Sequence, residues 1–83
     1  LNPDFTVAYI NRGSVFLINE KYEKAISDFS KAIAIKADEP YAFYSRGWAE
    51  YYSGKKDDAC TDMKRAANLG YKPAADAILQ VCK

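Results

Sequence analysis

The chain has 83 residues, of which 49% are hydrophobic and 28% charged, and 12 Lys and Arg nearly balance 11 Asp and Glu. That composition supplies one packed domain and argues against disorder, while interspersed charges of both signs leave no basic patch for nucleic acid. There is no histidine, which removes the commonest general base and metal ligand, and no apolar run approaches the ~18 residues of a membrane span.

Residues 1–5, opening on Leu1-Asn2-Pro3, read as the tail of a preceding unit, and no signal peptide is visible. Asp4 is the expected N-cap of a first helix from Phe5 to Ile18. Ala8, Tyr9, Gly13 and Phe16 form one stripe on it at helical spacing, and Val7, Ile10, Ser14 and Leu17 a second. Asn19-Glu20 makes the turn, since Asn tolerates the left-handed backbone of a helix end. A second helix from Tyr22 to Lys36 buries Ala25, Ile26, Phe29, Ala32 and Ile33. Asp38 is the expected cap of a third helix, Glu39 to Ser53, with Pro40 in its first turn. Ser53-Gly54 turns the chain into a fourth helix, Lys56 to Leu69, which stops at Gly70. Pro73 opens a short last helix, Ala74 to Cys82.

The second pair of helices restates the first 34 residues later. Ala8 recurs as Ala42, Arg12 as Arg46, Gly13 as Gly47, Lys21 as Lys55, Ala25 as Ala59, Asp28 as Asp62 and Ala32 as Ala66. A period of this size marks a stacked-repeat protein. It divides the chain into units at 6–39 and 40–73, with 74–83 as a cap, because terminal units of such arrays are atypical. A mid-helix Gly costs about 0.5–1 kcal/mol relative to Ala. Its recurrence at Gly13 and Gly47 points to close helix–helix approach at both.

Tyr9, Gly13, Phe16, Ala25, Phe29 and Ala32, with Phe43, Gly47, Ala59 and Ala66, resemble the tetratricopeptide repeat. The chain departs from that pattern at Arg12 and Arg46, where Leu usually precedes the Gly. Glu50 replaces the second aromatic of the helix, Lys56 stands where Tyr22 sits in the first unit, and Met63 replaces Phe29. The closing Pro is absent from both units. The resemblance implies an all-α, right-handed superhelix of five helices. It also implies a scaffold whose concave wall, made of the first helix of each unit, binds an extended or helical segment of another protein. No enzyme activity and no cofactor are expected. The alternative is a structural array, or a homo-oligomer, stacking through its open ends. Some relatives grip a C-terminal carboxylate with Lys and Asn on those helices; the equivalents here are Ile10, Ser14, Ser45 and Trp48, so that clamp is missing.

The third helix carries Tyr41, Tyr44, Trp48 and Tyr51 or Tyr52 on one face, offset from Ala42 and Gly47. With Val7, Ile10, Asn11, Ser14, Leu17 and Ser45 these make the expected peptide-binding face, lined by rings with large contact area and a polar handle. The competing reading packs the rings on each other and on the cap. Arg12 and Asp28, and again Arg46 and Asp62, recur together. The first reading is an Arg–Asp bridge between helices, the second an anion-binding Arg. Cys60 lies eleven residues before Tyr71 and Cys82 eleven after it, so an antiparallel hairpin brings them to one height. They are either bonded, which would argue for a periplasmic or extracellular setting, or reduced and packed as small apolar groups. Glu20-Lys21 and Lys55-Lys56-Asp57-Asp58 read as solvated surface.

Overall fold

The computed structural model describes residues 4–83, so the reading of Leu1 and Pro3 as part of a preceding unit lies outside the described residues. Among those residues there are five helices and no strand: α1 Asp4–Ile18, α2 Tyr22–Ile35, α3 Pro40–Tyr52, α4 Lys56–Asn68 and α5 Lys72–Val81. Each helix packs on the next, and α1 also touches α3. The result is an all-α stack of two helix–turn–helix units and a covering helix, a slab of 38 × 27 × 16 Å.

The turns follow from local chemistry. Glu20, rather than Asn19, takes the left-handed conformation at φ 63°, while Gly54 and Gly70 take it at φ 90° and 95°. The last two are the glycines a left-handed helix end favours. The expected caps differ. Asp4 is the first residue of α1 rather than its cap, and the cap position lies outside the described residues. The residue capping α3 is Glu39, with no side-chain hydrogen bond, while the Asp38 carboxylate accepts from Lys36 Nζ at 3.2 Å.

Both mid-helix glycines sit at crossings. A Cβ on Gly13 would lie 2.9 Å from the Phe29 ring, and one on Gly47 would lie 3.0 Å from Met63 Cε. A side chain on Gly13 would press on that ring and one on Gly47 on the flexible end of Met63, so close crossing is the repeated reason for the repeated Gly. Two apolar clusters result. In the first, Ala25, Phe29 and Ala49 are buried, with Ile10, Phe16, Leu17 and Ile26 packed against them. The second centres on Phe43, Ala59, Met63 and Ala66 and continues into Ala74, Ala77 and Val81 of α5.

Period alone does not set burial. Ala8, expected in the core stripe, is exposed, whereas Ala42 in the same register is fully buried. The difference is that α2 covers Ala42 and no described helix covers Ala8. The start of α5 also differs: it begins at Lys72, not Ala74. Its buried residues Ala74, Ala77 and Val81 repeat the spacing of Ala42, Ser45 and Ala49 at an offset of 32 residues, not 34. Helix α5 therefore lies on α4 as α3 lies on α2, with α4 and the connection after it each one residue shorter than their counterparts.

Candidate protein-binding face

Helix α3 holds four of its rings in one line. Tyr41 and Tyr44 have centroids 6.3 Å apart, Tyr44 and Trp48 6.3 Å, and Trp48 stacks on Tyr52 at 5.7 Å. Tyr51 stands edge-on to both Trp48 and Tyr52. Two rings from other elements extend the line. Tyr71, at the start of α5, meets Tyr44 at 5.0 Å and Tyr41 at 6.1 Å, and Tyr22, opening α2, stacks on Tyr52 at 5.6 Å. Sequence reasoning missed these two because neither lies on a first helix. Their signal was position: each opens a helix just after a turn. Burial raises the pKa of both phenols above the usual range.

The line is half wet. Tyr41 is 39% exposed and Tyr52 56%, while Tyr44 and Trp48 are half-buried against the second cluster. On α1, Val7 is 54% exposed, Ser14 is half-buried, and Ile10 and Leu17 lean on the first cluster. Ser45 does not belong to the face. It is only 3% exposed, because it lies between Ala42 and Ala49 on the side of α3 turned to its preceding neighbours. Asn11 occupies the same register on α1, beside Ala8 and Val15, and is exposed because no described helix covers that side.

Arg12 and Arg46 each hold the aspartate sixteen residues on in a two-pronged pair. Arg12 Nε and Nη2 donate to Asp28 at 2.7 and 2.8 Å, and Arg46 donates to Asp62 at 2.7 and 2.9 Å. The planar fork of Arg suits this geometry. Hydrogen bonding from Arg12 holds the Asp28 carboxyl below its ordinary pKa, and the bond to Asp28 raises Arg12 in turn. The two sites are otherwise unlike. Arg46 also donates to Ser30 of α2 at 3.1 Å and lies 3.6 Å from Glu50. Arg12 is open to solvent and, with Lys24 and Lys31, lines a shallow hollow over Phe16 and Asp28.

Glu50 is the exceptional group. It is buried, its Oε1 has no partner, and its pKa is pushed up to about 9, first by burial and then by a hydrogen bond shared with Asp62. Taken out of water by burial and set beside Asp62, Glu50 keeps its proton at neutral pH. At the far end of the stack, Cys60 of α4 and Cys82 after α5 are bonded, with Cα atoms 5.0 Å apart.

Comparison with known proteins agrees with this architecture. Residues 6–38 match the model of the tetratricopeptide repeat family. The chain is 32% identical over 80 residues to the TPR repeat-containing thioredoxin TDX of Arabidopsis thaliana, covering 96% of this chain and 21% of that protein. It is 39% identical over 64 residues to DnaJ homolog subfamily C member 3 of Mus musculus, covering 77% of this chain and 13% of that one. It is 35% identical over 69 residues to anaphase-promoting complex subunit 3 of Schizosaccharomyces pombe, covering 83% and 10%. The chain thus spans about a fifth or less of the length of these relatives. No solved structure matches the chain. Residues 6–38 are thus a tetratricopeptide repeat, in a chain whose aligned relatives include one named for such repeats. Repeats of this family generally serve protein interaction rather than catalysis.

Proposed function

We propose that the chain binds a segment of another protein along the shared face of α1 and α3. The observation that carries this reading is the continuous line of rings from Tyr41 to Tyr52, wet on one side and backed by core on the other. Aromatic side chains on a rigid helix offer contact area at low conformational cost, and half-buried rings beside exposed ones make an anchor with a rim. The stripe formed by Val7, Ile10, Ser14 and Leu17 with these rings carries no charge, so its ligand is an apolar or aromatic segment rather than an acidic tail. The test is a peptide library panned on the immobilised chain, with recovered peptides titrated by Trp48 fluorescence. Tyr41→Ala with Tyr52→Ala should weaken binding about tenfold or more, measured at a temperature where circular dichroism shows the variant folded, because the two rings also pack on Tyr22, Tyr44, Trp48, Tyr51 and Tyr71. Peptides that bind the double variant as well as the parent would overturn the reading.

A second reading, stacking through an open end, has its own support. Phe5, Val15 and Ile18 of α1 are 57%, 55% and 79% exposed. Val15 sits in the register of Ala49, which in the second unit is fully buried by its neighbours. Light scattering across a concentration series separates the readings: a mass that climbs with concentration supports stacking, and a constant monomer mass sets it aside.

A further inference from the structure

We propose that the Cys60–Cys82 bond is a thiol–disulfide exchange site whose state sets the shape of the aromatic face, a regulatory role that rests on the binding function given to that face above. Helix α5 is fixed at both ends by contacts outside the core. At the start, the chain passes through Gly70 at φ 95° into Tyr71, whose ring lies against Tyr44 and Tyr41. At the finish, Cys82 follows the last turn and is bonded back to Cys60 near the start of α4.

Between those ends the hold is apolar, and Ile78 packs on the second cluster beside the buried residues. The buried side chains of α5 are Ala74, Ala77 and Val81, while Leu79 points to solvent at 74% exposure. The N-cap of α5 makes no side-chain hydrogen bond, and its last turn has no basic residue to favour the helix dipole. Among the described residues no ion pair joins α5 to the rest of the molecule. A helix of 10 residues is marginal on its own in water. Without the bond at Cys82, the far end of α5 keeps only Ala77, Ile78 and Val81 to hold it on α4.

Both cysteines are partly exposed, so a thiolate can reach a sulfur. The chemistry is exchange with a dithiol. One thiolate of the reagent attacks a sulfur of the bridge and forms a mixed disulfide, and the other cysteine leaves as a thiolate and takes a proton. The second reagent thiol resolves the mixed disulfide, so the protein gains two electrons and two protons as the dithiol becomes a disulfide. Once released, α5 frays from its C-terminal end. Tyr71 then loses the helix that fixes it over Tyr41 and Tyr44, and the line of rings ends at α3.

The chain has one tryptophan, Trp48, which lies in that line and reports on it. The experiment compares the chain before and after dithiothreitol, with alkylation and mass spectrometry verifying two thiols in the treated sample. Amide exchange over residues 72–81 should speed up about tenfold or more while α1 and α2 hold their protection, and Trp48 emission should shift to the red. Cys60→Ser without reductant should match the reduced chain in both readouts. If α5 exchanges within about twofold of its oxidised rate once both thiols are labelled, the proposal is overturned. It is equally overturned if α1 and α2 speed up as much as α5, since the bond would then be a global staple. Neither readout uses a ligand, so a failure to bind peptide would count against the function of the face and not against this switch.

Discussion

At the scale of single residues, the two crossing glycines look alike and differ in their neighbour. Gly13 faces the ring of Phe29, which is fully buried and rigid, whereas Gly47 faces the flexible thioether end of Met63. Alanine gains about 0.5–1 kcal/mol of helix propensity at either place, but overpacking against a fixed ring costs about 1–3 kcal/mol. Gly13→Ala should therefore lower stability by about 1–2 kcal/mol and Gly47→Ala change it little, as urea denaturation will show. Glu50 gives a second prediction. Its pKa rises from 4.5 to about 9 on folding, so between those values the folded chain holds a proton that the unfolded chain has released. Stability must then fall as pH rises across that window, by at most about 1.4 kcal/mol per unit from this group. Asp28, held low by Arg12, acts in the opposite sense: its contribution is complete above the ordinary aspartate range and is lost in stronger acid. Glu50→Gln should flatten the decline between pH 5 and pH 8, measured by thermal melts, because the amide donates to Asp62 without a titrating proton.

At the scale of elements, helix existence was legible because apolar spacing, turn glycines and the two prolines agree. The shape of the last contact was not. A period of 34 aligns Ser45 with Asn11, yet one is buried and the other exposed, because burial belongs to the neighbouring helix rather than to the residue. The same period aligns Ala74 with Pro40, whereas burial aligns it with Ala42, because α4 and the connection after it are each one residue shorter than α2 and its connection. Tyr71, at the end of that shorter connection, meets Tyr44 and Tyr41. Each aromatic pair contributes about 0.5–1.5 kcal/mol beyond area burial. Tyr71→Ala should accordingly cost about 1–3 kcal/mol in chemical denaturation, a loss that Tyr71→Phe should largely avoid. The bond between Cys60 and Cys82, at a separation of 22 residues, contributes on the order of 3 kcal/mol by loop closure. The meeting of the two cysteines depended on the rotation of α5, which composition and spacing leave open.

At the scale of the whole molecule, each unit meets its sequence neighbours and little else, so stability is close to a sum of unit and interface terms. The first cluster joins α1 and α2 to α3, and the second joins α3, α4 and α5. Damage to one should not dissolve the other. Phe29→Ala, which empties the centre of the first cluster, costs about 3–5 kcal/mol. In exchange measurements α1 and α2 should lose protection while α4 and α5, tied by their bond, retain it; uniform loss along the chain would show a single cooperative unit instead.

The bridge also has a mechanical meaning. Because Cys82 is covalently joined to Cys60, tension reaching the chain at Cys82 passes through sulfur into the start of α4. Residues 61–81, with all of α5, form a closed loop outside that load path. Pulled from its two ends, the oxidised molecule would feel force through α1, α2, α3 and the first turns of α4, and α5 would ride along unstretched.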